Sequence, residues 1–237
     1  MLLPYHFDDQ YREIVTLEDG SRVLLRCVQP GDKVKLVEGL QRLSPRSRYT
    51  RFFTAKPYLT EQELKFFTEV DGVDHFAMGA LKYDPPAADD RGDGVGIVRF
   101  KRLADHPDTA EPAIVVLDEE QGKGLGRLLF CRLIAAAAER GIRHFQCVIM
   151  AQNDAAVHMI KDLAPNSEFH PNGTEVLVRF PLPDLDPEPV EPPTPEHHGP
   201  LYHVFRFAAA GEVFVRSALS GIRHLWEGNE EDRGSDS

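Results

Sequence analysis

Between an apolar stretch at Ala113–Leu117 and a helical pattern over about residues 125–140 lies the run Gln121-Gly122-Lys123-Gly124-Leu125-Gly126. A strand, a glycine-rich turn and a long helix in that order form a unit with a ready use. Glycines let the backbone turn tightly and bring N–H groups close to a ligand with no Cβ in the way. The helix N-terminus adds unpaired donors and a partial positive charge, so the unit can hold an anion such as a pyrophosphate on its main chain. Lys123 and Arg127 stand where they can add charge at the rim. No Gly-Lys-Ser/Thr ends the run, so it is not a P-loop. Glycines spaced evenly by two do not make the G-x-G-x-x-G dinucleotide fingerprint either.

The rest of the pattern places this unit in a mixed α/β sheet. Residues 11–17 and 21–28 alternate apolar and polar around Glu18-Asp19-Gly20, a hairpin signature. Asp32 is placed to cap a helix over 33–43. Thr60, with Glu63 three residues on, forms a capping box for a second helix over 60–70. Strands are expected at 75–83 and 95–103, joined through a loop at 85–94. The short strand 113–117, the glycine run and a helix stopped by Gly141 come next. Strand 144–150, helix 153–163 and strand 175–180 complete the α/β (α+β) order.

Of the net charge of −11, residues 1–182 carry only −4. Residues 183–200 add −5, and eight of the eighteen prolines fall in 181–200, so this stretch reads as an extended acidic linker. Residues 201–227 read as an amphipathic helix, with Val204, Ala208, Gly211, Val215, Ala218, Ile222 and Leu225 repeating at steps of four and three. A second copy of the chain is one surface on which such a helix can be buried, making a homodimer. Residues 228–237 read as a disordered acidic tail. An acidic chain with no basic stripe excludes general nucleic-acid binding, and no apolar run is long enough for a membrane span. Met1-Leu2-Leu3 runs into Pro4 without a secretory pattern, and Cys27, Cys131 and Cys147 read as reduced thiols. A cytoplasmic location is therefore expected.

Gln121, Gly124 and Gly126 match the Gln/Arg-x-x-Gly-x-Gly/Ala pattern of the GNAT superfamily of acyl-CoA N-acetyltransferases, and the element order resembles that family over about residues 11–182. The resemblance implies a mostly antiparallel central sheet flanked by helices, with acetyl-CoA as co-substrate and no metal. It implies that the backbone of Gln121, Gly122, Lys123, Gly124, Leu125, Gly126 and Arg127 holds the CoA pyrophosphate. The main chain around Val115, Val116 and Leu117 would pair with the pantetheine arm like an added strand, near Asn153. Two departures stand out: Ile160 where many members have a Tyr acting as general acid, and Ala164-Pro165-Asn166 where Gly-Phe is usual.

A narrower resemblance rests on Ser44-Pro45-Arg46-Ser47-Arg48-Tyr49-Thr50-Arg51-Phe52-Phe53 and on Leu17-Glu18-Asp19-Gly20-Ser21-Arg22-Val23. Both are similar to the acetyltransferase domain of bacterial Pat-type protein lysine acetyltransferases, which implies a protein lysine as acceptor. Regulation through a preceding nucleotide-binding domain is not carried over. In Ala110-Glu111-Pro112-Ala113 the resemblance gives Glu111 the role of general base, and the acceptor amine does need a nearby proton acceptor. Pro112 removes a ladder donor and points to an edge or bulge. Glu119 and Glu120 read as solvated, and Cys147 as core. His197, His198 and His203 sit in or beside a Pro-rich stretch without a metal-binding frame. Two rival readings remain open: acetylation of a small-molecule amine, and an acyl-CoA sensor without turnover.

Overall fold

Arg12–Thr16 (β1) and Arg22–Cys27 (β2) form the opening hairpin, with Gly20 at φ +86 in its turn and Asp19 accepting from the Ser21 N–H at 3.0 Å. The computed structural model describes residues 5–83 and 92–182, within a compact unit that ends at Leu182. The expected linker 183–200, helix 201–227 and tail 228–237 lie outside the described residues, as does most of the loop at 85–94.

Three helices follow: α1 (Lys33–Arg42), α2 (Pro45–Phe52) and α3 (Glu61–Thr68). The capping box of Thr60 and Glu63 is present on α3. Asp32 stands at the head of α1 but does not cap it with its side chain. Its carboxylate instead takes both nitrogens of the Arg26 fork at 2.7 Å and the Gln29 N–H at 2.8 Å. A buried guanidinium outcompetes a weak cap, because a lone buried charge costs far more than an unpaired helix-end N–H. The helix α2 was not foreseen. It has no buried residue, so the apolar periodicity that signals a helix is absent.

The remaining elements are β3 (His75–Lys82), β4 (Gly94–Leu103), β5 (His106–Val116), α4 (Leu125–Glu139), β6 (His144–Met150), α5 (Asp154–Leu163), β7 (Glu168–Asn172) and β8 (Glu175–Pro181). They form one sheet in the order β1-β2-β3-β4-β5-β6-β8-β7. Every pair is antiparallel except β5 with β6, so the sheet is mixed and mostly antiparallel.

One sheet face packs on α4, whose Leu125, Leu129 and Leu133 are fully buried. The approach is close. A Cβ on Gly96 would come within 2.9 Å of Leu129 Cδ1, so a glycine there seats α4 against β4 and fixes the loop in front of it. Phe76, Phe100, Phe145 and Phe180 form the buried aromatic row beneath the helix. Arg132 on α4 grips Glu13 on β1 with two bonds of 2.8 and 2.7 Å, tying the helix to the far edge of the sheet.

Candidate active site

The strands β5 and β6 pair only at Thr109 with His144 and Ala110 with Phe145. Beyond that point β5 stays with β4 and β6 stays with β8, so a wedge opens between their C-terminal ends. Pro112 supplies a local cause. The Leu117 N–H bonds Val95 O at 3.0 Å, so odd-numbered groups of β5 face β4 and even-numbered ones face the wedge. The N–H that Pro112 lacks would have pointed at β6. Its absence costs nothing toward β4 and removes one rung from the β5–β6 ladder. By the same alternation, Ile114 and Val116 turn their main-chain groups into the wedge, whereas Val115 and Leu117 are committed to β4.

The loop at the wide end starts with a 3₁₀ turn, Asp118–Glu120. The Gln121 side chain donates back to Val116 O at 3.1 Å. Gly122 and Gly124 hold φ of +76 and +84, which other residues adopt only under strain. The first helical bond of α4 runs from Leu128 N–H to Gly124 O, leaving the N–H groups of Leu125, Gly126 and Arg127 without intrahelical acceptors. The expected open space is present at Gly122, where an added Cβ meets nothing within 4 Å. At the other two glycines a Cβ would face protein: Glu18 Oε1 at 3.2 Å from Gly124, and Val116 Cγ2 at 3.7 Å from Gly126.

The two rim cations are already engaged. Lys123 Nζ lies 2.8 Å from Glu120 and 3.3 Å from Asp19, and Arg127 lies 3.2 Å from Asp162 on α5. What the loop has to offer an anion is therefore its main-chain donors and the helix end. Glu120 is not solvated, as the sequence suggested, but 3% exposed between Lys82 and Lys123. Its burial disfavours the charge, yet the two ammonium groups outweigh that and hold the carboxyl below its usual range. Glu119 is exposed and paired with Arg42.

Glu111 is the first residue of β5 beyond the last pair with β6, so it stands at the apex of the wedge. It is exposed and shares a sheet face with Ala113 and Val115. That face, with α1 and α2 above it, borders a partly open cavity of about 110 Å³ lined by Arg51, Phe52, Phe67, Arg99, Ala113 and Val115 among others. Cys147 on β6 is a free, half-buried thiol pushed up to about 12 by burial, with the charge of Glu111 adding to the effect; it is no nucleophile at neutral pH. Across the wedge, Asn153 caps α5 by accepting from Ala156 N–H at 3.2 Å. Ile160 is buried in that helix. By topology, Glu111 stands at the apex of the wedge, Val116 and the glycine run follow along its β5 side, and Asn153 follows the end of β6 on the other side. In the sequence, Arg46, Arg48 and Arg51 read either as attracting an acidic acceptor or the CoA 3′-phosphate or as a solvated face, and nothing local singles out Arg99; the structure sets Arg51 and Arg99 against this cavity.

Residues 45–164 match the acetyltransferase (GNAT) family. The chain is 31% identical over 183 residues to the acetyltransferase Pat of Mycolicibacterium smegmatis, a match that takes in 75% of this chain and 51% of that protein. It thus spans about half the length of that relative. An acetyltransferase of Pseudomonas aeruginosa is 30% identical over 71% of this chain and 89% of its own. Among solved structures, the GNAT domain of PAT from S. lividans superposes with a TM-score of 0.64 at 28% identity, covering 76% of this chain and 99% of that one. These matches cover half of the chain and more: the chain belongs to the acetyltransferase (GNAT) family.

Proposed function

We propose that the chain moves an acetyl group from acetyl-CoA directly to the side-chain amine of a protein lysine, with Glu111 as the base. The observation that carries this reading is the place of Glu111 at the apex of the wedge, with the glycine loop at its open end. Five strand steps take the chain from Glu111 to Val116, roughly 17 Å, which is the reach of an extended pantetheine arm. Acetyl-CoA supplies the activated acyl group. The main chain of 121–127 then holds its pyrophosphate, and the wedge-facing groups of Ile114 and Val116 pair with the arm. The Ile114 N–H, the first wedge-facing donor beyond Pro112, is aimed to polarise a carbonyl oxygen. Glu111 accepts the proton lost by the attacking amine. With an apolar Ile160 on α5, solvent protonates the departing thiolate.

Two features favour a protein acceptor. The segment that forms α2 resembles the Pat-type domains, and α2 with the loop after it exposes Tyr49, Phe53 and Tyr58 near the cavity, at 47%, 39% and 66%. Exposed aromatics clustered next to a site suit a protein surface better than water. The small volume of the cavity, about 110 Å³, is the observation that favours the second reading, a small-molecule amine. Free thiols at Cys27, Cys131 and Cys147 support a reducing, cytoplasmic setting, and we assign the 201–227 stripe to pairing with a second copy. Incubating the protein with labelled acetyl-CoA and a cell lysate tests the main reading. Label on protein lysines supports it, label confined to small amines replaces it with the second, and donor binding with no label anywhere leaves a sensor.

A further inference from the structure

Buried arginines in this fold are matched with care. Arg26 meets Asp32 through two bonds of 2.7 Å, Arg132 meets Glu13 through two more, and Arg140 donates to the carbonyls of Phe7, Gly72 and Ala136. The cavity beside Glu111 breaks this pattern. Arg51, in the last turn of α2, and Arg99, directly opposite Ala113 on β4, both line it. Among the described residues neither makes an ion pair, and the Nε of each is buried without a hydrogen-bond partner. Each guanidinium carbon lies over aromatic rings instead: Arg51 over Phe52 at 5.1 Å, and Arg99 over Phe66 and Phe67 at 5.0 and 5.4 Å.

Stacking orients a guanidinium but leaves its in-plane donors unused. Burial, with the like charge of Arg99, lowers Arg51 to about 10 against a smaller opposite pull from Glu111, and burial lowers Arg99 as well, again opposed by Glu111; a guanidinium stays a cation at neutral pH all the same. Two positive charges thus share one nearby carboxylate that bonds neither. A buried donor left unpaired is costly, so a site that keeps two of them on one cavity is built for a ligand that satisfies both.

We infer that Arg51 and Arg99 together receive a carboxylate carried by the acceptor, so that the enzyme selects amines with an acidic group near the reacting nitrogen. This rests on the reading of Glu111 as base, which orients the amine toward β5 and the carboxylate toward α2. The guanidinium fork matches a carboxylate in plane, and the apolar walls from Phe52, Phe67 and Ala113 suit the methylenes between the two groups. The carboxylate has two sources. One is an Asp or Glu beside a lysine in a polypeptide; the other is the acid group of a free amino acid.

The full chain is assayed with matched acceptor pairs: lysine peptides with Glu against Gln at each flanking position, and free lysine against lysinamide. The expected result is a preference of about tenfold or more in kcat/KM for the acid member of one set, the size of a charge-assisted bond. Arg51→Gln and Arg99→Gln should each erase that preference while the KM for acetyl-CoA stays within about twofold. Preference in the peptide set assigns the carboxylate to a polypeptide. Preference only in the free set keeps the arginine pair and overturns the protein-lysine reading. Equal rates within both sets in the parent enzyme overturn the inference with no variant needed, as does a preference that survives both substitutions. If no acceptor is turned over, calorimetry of the same pairs on the CoA-loaded protein reads the arginines by themselves. Tighter binding of the acid member then sustains the inference while the activity fails, and equal affinities sink it.

Discussion

The carboxylate of Asp118 accepts from both the backbone N–H and the hydroxyl of Ser44, at 2.9 and 2.8 Å, and from the Ser47 hydroxyl at 2.7 Å. Asp118 opens the turn that leads into the glycine loop, and Ser44 is the N-cap of α2. One side chain therefore fastens the helix that carries Arg51 to the segment that presents the donor loop. The two halves of the site share an anchor more than seventy residues away in sequence.

Replacing Asp118 with Ala should loosen that anchor more than it unfolds the protein. The bonds are solvent-exposed, so stability should fall by only about 1 kcal/mol. Small displacements of positioning groups cost far more in rate, so kcat/KM for the acceptor should drop by about tenfold or more. Asp118→Asn, which keeps one acceptor oxygen, should recover part of the loss. A thermal melt and a kinetic comparison of the three proteins suffice. An Ala variant that keeps parental acceptor kinetics shows that α2 is held without Asp118.

The glycines separate backbone need from ligand clearance. At Gly124, φ is +84 and an added Cβ crowds Glu18, so Gly124→Val distorts the turn and should weaken acetyl-CoA binding by about tenfold or more. Gly126 has helical geometry and room for a methyl group 3.7 Å from Val116. Gly126→Ala should therefore keep donor affinity within about twofold and raise stability by up to about 1 kcal/mol through helix propensity. Calorimetry on both variants decides. Equal damage at the two positions would mean that clearance for the ligand, not backbone geometry, governs the loop.

Local chemistry made most of this architecture readable. Strands β3, β4, β6 and β8, helix α4 and the capping box on α3 follow from periodicity and caps that act over a few residues. What escaped depends on partners distant in sequence. The helix α2 has Ser44 as cap and Pro45 at its first position, but its polar surface hides it. The edge strand β7 contains Pro171 and Asn172, which argue against a strand until β8 supplies the pairing. Asp32 and Glu120 were assigned roles suited to exposed carboxylates, because the cations that claim them, Arg26 and Lys82, reach them only in the folded sheet. The wedge itself is a pairing defect. Pro112 was its one local sign, and only the register of β6 shows where the gap lies.

His75 provides a pH test of the fold beneath the site. Its ring is buried against Phe66, and its Nε2 has no hydrogen-bond partner. Burial, with the charges of Arg99 and Lys101, lowers it from 6.5 to about 4, against a smaller pull from Asp71. Between those values the unfolded chain takes up a proton that the folded chain refuses, so this group lowers stability as pH falls from about 6.5 toward 4. His75→Phe keeps a ring and removes the titration. Urea midpoints measured across that window should fall less steeply in the variant than in the parent. Parallel slopes would mean that His75 is protonated in the folded protein at a normal pH.

The assignment of Glu111 makes the sharpest kinetic prediction. A lysine amine has an unperturbed pKa of about 10.4, so near neutrality it is almost wholly protonated and attack needs a proton acceptor. A placed carboxylate commonly contributes about 10²–10⁴-fold. Glu111→Gln keeps the size and much of the hydrogen bonding but removes the basicity. Donor binding should be unchanged, because the glycine loop lies at the other end of the wedge from Glu111. Turnover should fall by about tenfold or more near pH 7 and recover in part as pH rises, when free amine becomes available without help. The pH profile separates this role from a positional one. A carboxylate that merely held Arg51 or Arg99 in place would lower the rate by the same factor at every pH. A Gln variant whose profile parallels the parent's therefore removes Glu111 from the proton path, and one with parental turnover leaves it a strand residue at the apex of the wedge.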